Sequence, residues 1–188
     1  MKLLILTQKV DMNDAVLGFF HSWLREFAAR FDSIIVVCLE EGKHELPANV
    51  RVLSLGKERS GAHKLDYIRC FYRHVWAERG NYDSVFVHMN QEYSILGGPL
   101  WKLLGKKSVL WRNHPDGSAL TRLAVLLSDK VMCTSPHSFT ARFAKTMIMP
   151  VGIDTDFFRP APPGSASPEW RRHTRAPAMP ILLRRKRT

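Results

Sequence analysis

Along the chain, short apolar runs alternate with amphipathic segments. Lys2–Thr7 (KLLILT), Ser33–Glu40 (SIIVVCLE) and Asn49–Gly56 (NVRVLSLG) are rich in β-branched residues. The first two carry no apolar–polar alternation, which is the pattern of strands covered on both faces. The same character returns in Tyr82–Met89 (YDSVFVHM), Lys106–His114 (KKSVLWRNH), Asp129–Ser135 (DKVMCTS) and Thr146–Ile153 (TMIMPVGI). Between these runs the apolar residues fall three and four apart. Asn13 and Asp14 offer N-caps to a helix whose broad apolar face is Phe19, Phe20, Trp23, Leu24, Phe27 and Ala28. A second helix places Leu65, Ile68, Tyr72, Val75 and Trp76 on one side. A third, YSILGGPLWKLLG, is expected to break at Gly97-Gly98-Pro99, and SALTRLAVLLS is a fourth. Ser135-Pro136 reads as an N-cap and first-turn proline before HSFTARFAK.

Strands and helices in strict alternation predict an α/β fold, a Rossmann-like parallel sheet flanked by helices. No internal repeat is present. The patterned part runs over residues 1–160. Beyond it, residues 161–188 (APPGSASPEWRRHTRAPAMPILLRRKRT) have no period and read as a disordered basic tail, expected to arise from truncation or a shifted reading frame. Hydrophobic residues are 45% of the 188, enough for one sizeable core.

The formal charge of +11 directs attention to nucleic acid or an anionic membrane. Seven of the basic residues, against Glu169 alone, lie in 161–188, so more than half of that excess belongs to the unpatterned tail. The patterned part lacks a basic aromatic face, and no nucleic-acid partner is expected. Cys38, Cys70 and Cys133 are odd in number and have no C-x-x-C spacing, which reads as free thiols in a reducing compartment. The N-terminal apolar run is too short for a signal peptide, and no run approaches a membrane span. A cytoplasmic location is expected.

In open parallel sheets, ligands bind at the carboxyl ends of the strands. Four polar segments fall there: TQKVDMND, HMNQEY, RNHPDGS and TSPHS. His88 and His114 each follow an apolar run, with Asn90, Asn113 and Asp116 beside them. They are candidate sugar-hydroxyl donors or acid–base groups; the competing reading is a structural imidazole. Asp11 and Asn13 follow the first strand, and Ser135 is placed to meet a phosphate if it opens a helix. No G-x-G-x-x-G or P-loop lysine motif is present. Asp154-Thr155-Asp156 matches a metal-holding D-x-D pair only formally.

The order of VHM, VLWRNH, SDKVMCTSPHSF and PVGIDTDFFRP resembles the N-terminal half of family 4 (group 1) glycosyltransferases, which have the GT-B fold. The matching residues of the last segment are Pro150, Gly152, Ile153, Asp154 and Phe158. The resemblance covers about residues 1–160. It implies the acceptor-side domain of an enzyme that moves a sugar from a nucleotide-sugar donor to a glycan or lipid-linked acceptor. It further implies retaining, metal-independent chemistry, no cofactor, and peripheral contact with the inner face of the membrane. His88 and His114 are the expected catalytic residues; Asp11, Asn13, Asn90, Asn113, Asp116 and Ser135 are the expected substrate contacts. Two departures stand out. Only Gly18 represents the Gly-Gly pair that many members carry after the first strand, and nothing in 161–188 matches the family's donor-binding domain. The alternative is a non-catalytic Rossmann-like binding module with a basic tail for anionic lipid or nucleic acid.

Overall fold

The structure is a computed structural model; it describes residues 1–61, 63–150 and 152. The elements described below all belong to one compact unit, Met1–Pro150. The expectations for the 161–188 tail and for Asp154-Thr155-Asp156 lie outside the described residues.

The elements of this unit are β1 (Lys2–Val10), α1 (Phe19–Ala28), β2 (Ser33–Glu41), β3 (Val50–Ser54), α2 (Lys64–Ala77), β4 (Ser84–His88), α3 (Gln91–Leu103), β5 (Lys107–Trp111), α4 (Ala119–Leu127), β6 (Lys130–Cys133), a 3-10 turn (Phe139–Arg142) and β7 (Thr146–Ile148). The seven strands form one sheet in the order β3-β2-β1-β4-β5-β6-β7, every pair parallel. Strand order reverses between β1 and β4, where Ile5 lies between Val36 of β2 and Phe86 of β4.

Both faces of the sheet are covered, which is why β1 and β2 read as unbroken apolar runs. Leu4, Leu6, Ile35, Val37, Val85, Val87, Leu110 and Val131 point to one face and pack with Phe71, Val75, Tyr93, Trp101, Ala124 and Val125 from α2, α3 and α4. Leu3, Ile5, Ile34, Val36 and Cys38 point to the other and bury Phe20, Leu24 and Ala28 of α1.

Several helices differ from the sequence expectation. α1 begins only at Phe19, with Gly18 as its N-cap. Asp14 instead folds the approach, its Oδ1 accepting from the Val16 and Leu17 N–H groups at 2.9 and 2.8 Å. On α2 the buried pair is Phe71 and Val75, while Leu65, Tyr72 and Trp76 are exposed. Two apolar stripes are available on that helix. The sheet takes the one on which Phe71 stacks on Tyr93 (ring centres 5.9 Å apart) and meets Trp101 edge-on.

α3 does not break at Gly97-Gly98-Pro99. The two glycines are spacers: a Cβ on Gly97 would come within 2.3 Å of the Trp101 ring, and one on Gly98 within 2.8 Å of Leu127 Cβ on α4. Pro99 removes one donor from the ladder, and the neighbouring Leu96 carbonyl accepts from Tyr72 Oη at 3.0 Å. Tertiary packing thus holds a helix that local propensity would end.

Candidate functional site

The polar segments after β1, β4, β5 and β6 all emerge at the carboxyl edge. His88, the last residue of β4, pairs in register with Trp111, the last of β5. Immediately beyond, Met89 adopts φ +63°, and the Asn90 N–H bonds back to the His88 carbonyl at 2.7 Å. That is a γ-turn centred on a non-glycine residue, a strained conformation of the kind that gathers at functional sites. The Met89 N–H is held by the Trp111 carbonyl at 2.7 Å, which ties the turn to β5. Asn90 is the N-cap of α3, without a side-chain capping bond.

The two candidate histidines sit in opposite environments. His88 is 1% exposed. Its ring stacks on Phe20 at 4.0 Å and on Trp111 at 5.2 Å, with Phe19 and Trp23 about its rim. Nδ1 lies 3.0 Å from Thr7 Oγ1 on β1, and Nε2 is buried without a hydrogen-bond partner. Burial pushes its pKa from 6.5 down to about 4, so the imidazole is neutral at pH 7. In this arrangement His88 joins β1, β4, β5 and α1.

His114 is exposed, in the loop between β5 and α4. Its Nδ1 accepts from the Asp116 N–H at 3.0 Å. The Asp116 carbonyl lies 3.2 Å from the same Nδ1, so Asp116 holds the ring through Nδ1 in either tautomer and leaves Nε2 free to exchange a hydrogen bond with a sugar hydroxyl. Asn113 Oδ1 accepts from the Thr134 N–H at 3.3 Å, joining this loop to the end of β6. Asp116 also offers its carbonyl to Arg112 Nη1 at 3.0 Å.

Ser135 does not open a helix. Its Oγ accepts from the His137 N–H at 3.2 Å in a local turn, and the next helical element is the one-turn 3-10 segment capped by Ser138. The cause is competition for hydroxyls: Ser138 Oγ bonds the Arg112 and His114 carbonyls at 3.2 and 3.3 Å, and Thr140 Oγ1 bonds Arg112 at 2.9 Å. These bonds fasten the segment under the β5–α4 loop instead of letting it wind. The phosphate contact expected of Ser135 as a helix opener therefore loses its geometric basis.

After β1, Asp11 and Asn13 share a tight turn, with Asp11 Oδ1 accepting the Asn13 N–H at 3.0 Å. Asn13 is exposed. Lys9, at the end of β1, anchors this corner: its Nζ lies 2.9 Å from Glu40, 3.0 Å from Asp14 and 3.4 Å from Asp11. Lys57 reaches the same Glu40 at 3.2 Å. The hydrogen bonds to Glu40 and Asp14 raise the Lys9 pKa. The Leu17 backbone N–H, then the Lys9 ammonium and the Val16 N–H, bring Asp14 down to about 2. Three carboxylates here oppose an anion at the place where a glycine-rich turn would approach a diphosphate.

The expected residues thus fall in three groups along one edge: Asp11 and Asn13 after β1, His88 and Asn90 around the γ-turn, and Asn113, His114 and Asp116 after β5. Lys9, Thr7 and the 3-10 segment escaped the sequence reading because their roles depend on partners far along the chain; the lysine in TQKVD was the one visible signal. A shallow hollow of about 290 Å³, lined by Lys2, Ser33, Asn49, Arg51 and Asn81 among others, opens at the opposite, amino edge. The candidate residues, chosen by the strand-end rule, lie at the carboxyl edge. Among the described residues, no group of three His, Cys, Asp or Glu side chains is arranged to hold a metal ion, and no helix is long and apolar enough to cross a membrane.

Sheet order, parallel register and helices on both faces define a Rossmann-like α/β domain of the kind that forms one half of a GT-B protein. Three solved structures similar to this chain share that fold. MurG from Acinetobacter baumannii superposes with a TM-score of 0.53 at 11% identity, over 80% of this chain and 46% of its own. UDP-GlcNAc 2-epimerase from Methanocaldococcus jannaschii gives 0.52 at 11% identity, over 79% and 45%. The Neisseria meningitidis UDP-GlcNAc 2-epimerase bound to UDP-GlcNAc gives 0.51 at 11%, over 79% and 45%. The chain spans less than half the length of each. No family model and no curated protein matches it. At this identity the likeness establishes the fold.

Proposed function

We propose that this chain is the acceptor-side domain of a glycosyltransferase that moves a sugar from a nucleotide-sugar donor to a glycan or lipid-linked acceptor. The observation that carries the reading is the β5–α4 loop. On a fold shared with a UDP-GlcNAc-bound enzyme, it holds the exposed His114 with Asn113 and Asp116 at the carboxyl edge. In the proposed mechanism, Nε2 of His114 hydrogen-bonds a sugar hydroxyl, oriented by the Asp116 N–H at Nδ1. Membership of family 4, retaining hexosyl transfer without a metal, and work at the cytoplasmic face of the membrane are parts of the same proposal. The sequence motifs support them.

The test is sugar binding at that loop. Titrating the isotope-labelled chain with UDP-GlcNAc and with a panel of oligosaccharides should shift the amide resonances of Asn113, His114 and Asp116 for at least one ligand. His114→Ala should weaken that binding by about tenfold, the loss of roughly one hydrogen bond with its orientation, while leaving the thermal midpoint unchanged. Shifts confined to the amino-edge hollow, or no sugar binding at all, would overturn the reading.

A further inference from the structure

Three arginines gather around the loop between β5 and α4, and among the described residues none of them pairs with a carboxylate. Arg112 is half-buried just past β5, where its guanidinium has only the Asp116 carbonyl, at 3.0 Å. Desolvation lowers its pKa, opposed by the more distant charges of Glu92 and Asp116. Arg122 lies in the first turn of α4 and Arg142 ends the 3-10 segment. Both exposed side chains lie over one ring, with guanidinium carbons 5.7 and 4.2 Å from the centre of Phe139.

The loop is seated on that same ring. A Cβ on Gly117 would come within 2.2 Å of it, and the Phe139 N–H donates to the His114 carbonyl at 2.8 Å. One buried aromatic therefore fixes the backbone of the loop and two cations beside it.

The placement runs against local electrostatics. The amino end of a helix carries partial positive charge and favours Asp or Glu in its first turn. α4 has no acidic residue there and has Arg122 instead. Cations placed together at the positive end of a helix, one of them partly desolvated, repel one another unless an anion joins them. Functional sites are where local conflicts of this kind are expected.

We propose that Arg112, Arg122 and Arg142 form a binding site for a phosphoryl anion, a phosphate or pyrophosphate ester, at the amino end of α4. Guanidinium groups match phosphate oxygens by paired hydrogen bonds, and the aromatic ring presets two of them without competing for the anion. Lys9 and its three carboxylates oppose an anion after β1, so the charge pattern of the edge assigns it to the β5–α4 side. That the anion belongs to the sugar acceptor rests on the transfer reading above; anion binding itself does not. Leu120, Leu123 and Leu126 run exposed along the same helix, so the ester has two sources to separate, a soluble phosphate and a lipid headgroup.

The experiment compares the whole chain with Arg122→Ser/Arg142→Ser. A charge-matched control, Arg69→Ser/Arg79→Ser, changes two exposed arginines around α2. Each protein is titrated calorimetrically with inorganic pyrophosphate at low ionic strength. Each is also co-sedimented with phosphatidylcholine vesicles, with and without phosphatidylglycerol. Circular dichroism confirms that all three are folded. The expected result is pyrophosphate binding that weakens by about tenfold or more in the site variant and not in the control. Phosphatidylglycerol-dependent sedimentation lost only in the site variant supports the site equally and assigns the anion to a lipid headgroup. Equal losses in both variants, which would mean diffuse attraction, or no binding to either probe, would overturn the site. If pyrophosphate binds as expected while no sugar perturbs His114, the transfer reading fails and the anion site stands.

Discussion

At the scale of single residues, His88 has the most to teach. A histidine at a strand end is visible in the sequence, but whether it faces solvent is decided by Phe20, Trp111, Phe19 and Trp23, which come from α1 and β5. Burial lowers its folded pKa from 6.5 to about 4. Below 6.5 the unfolded chain therefore binds a proton that the folded chain refuses. The stabilisation is complete above pH 6.5 and is lost as pH falls toward 4. By pH 5 the loss should be about 2 kcal/mol, read from urea unfolding midpoints at pH 7 and pH 5. His88→Phe keeps an aromatic in the stack and should flatten that slope. An unchanged slope would move its cause to His21, whose pKa burial lowers in the same direction. His114, by contrast, is exposed because the β5–α4 loop turns outward over Phe139, a residue more than twenty positions later in the chain.

At the scale of elements, the alternation of strands and helices was legible because both-face burial leaves unbroken apolar runs. Orientation and boundaries were less so. α2 has two apolar stripes, and only the Tyr93 and Trp101 rings choose between them. α3 survives Gly97-Gly98-Pro99 because the glycines admit Trp101 and Leu127. Gly98→Leu should accordingly destabilise the protein by about 1–3 kcal/mol through overpacking, despite the better helix propensity of leucine. Adding Leu127→Gly, which removes the Cβ in that contact, should recover part of that loss. Strictly additive effects in denaturant unfolding would show that α3 and α4 do not meet there.

Across the compact unit, the sheet order puts β4 at the centre between β1 and β5, with β3 and β7 at the edges, and burial is deepest along β1, β2 and β4. Native-state hydrogen exchange should show the slowest amides in Leu4–Leu6, Ile35–Val37 and Val85–Val87, opening only with global unfolding. Amides of β3 and β7 should exchange by local opening, several orders of magnitude faster. Slow exchange concentrated in β6 and β7 would contradict the sheet order. The same topology carries the loops after β1, β4 and β5 to one edge, so candidate residues more than a hundred positions apart in the chain share that edge.

By itself the sequence determined the fold class and the number of strands, and it marked the polar strand ends as candidates, because hydrophobic period and strand-end polarity are local properties of the chain. It also held the motifs that resemble a sugar-transferring family. Only the tertiary structure decided that His88 is walled in and His114 is presented. It also decided that Ser135 lies in a turn rather than a helix, that Lys9 gathers three carboxylates, and that Arg122 and Arg142 share one ring. The physical reason is common to all of these. Burial, pKa and charge pairing depend on which distant side chains arrive at the same point, and a one-dimensional pattern does not carry that distance.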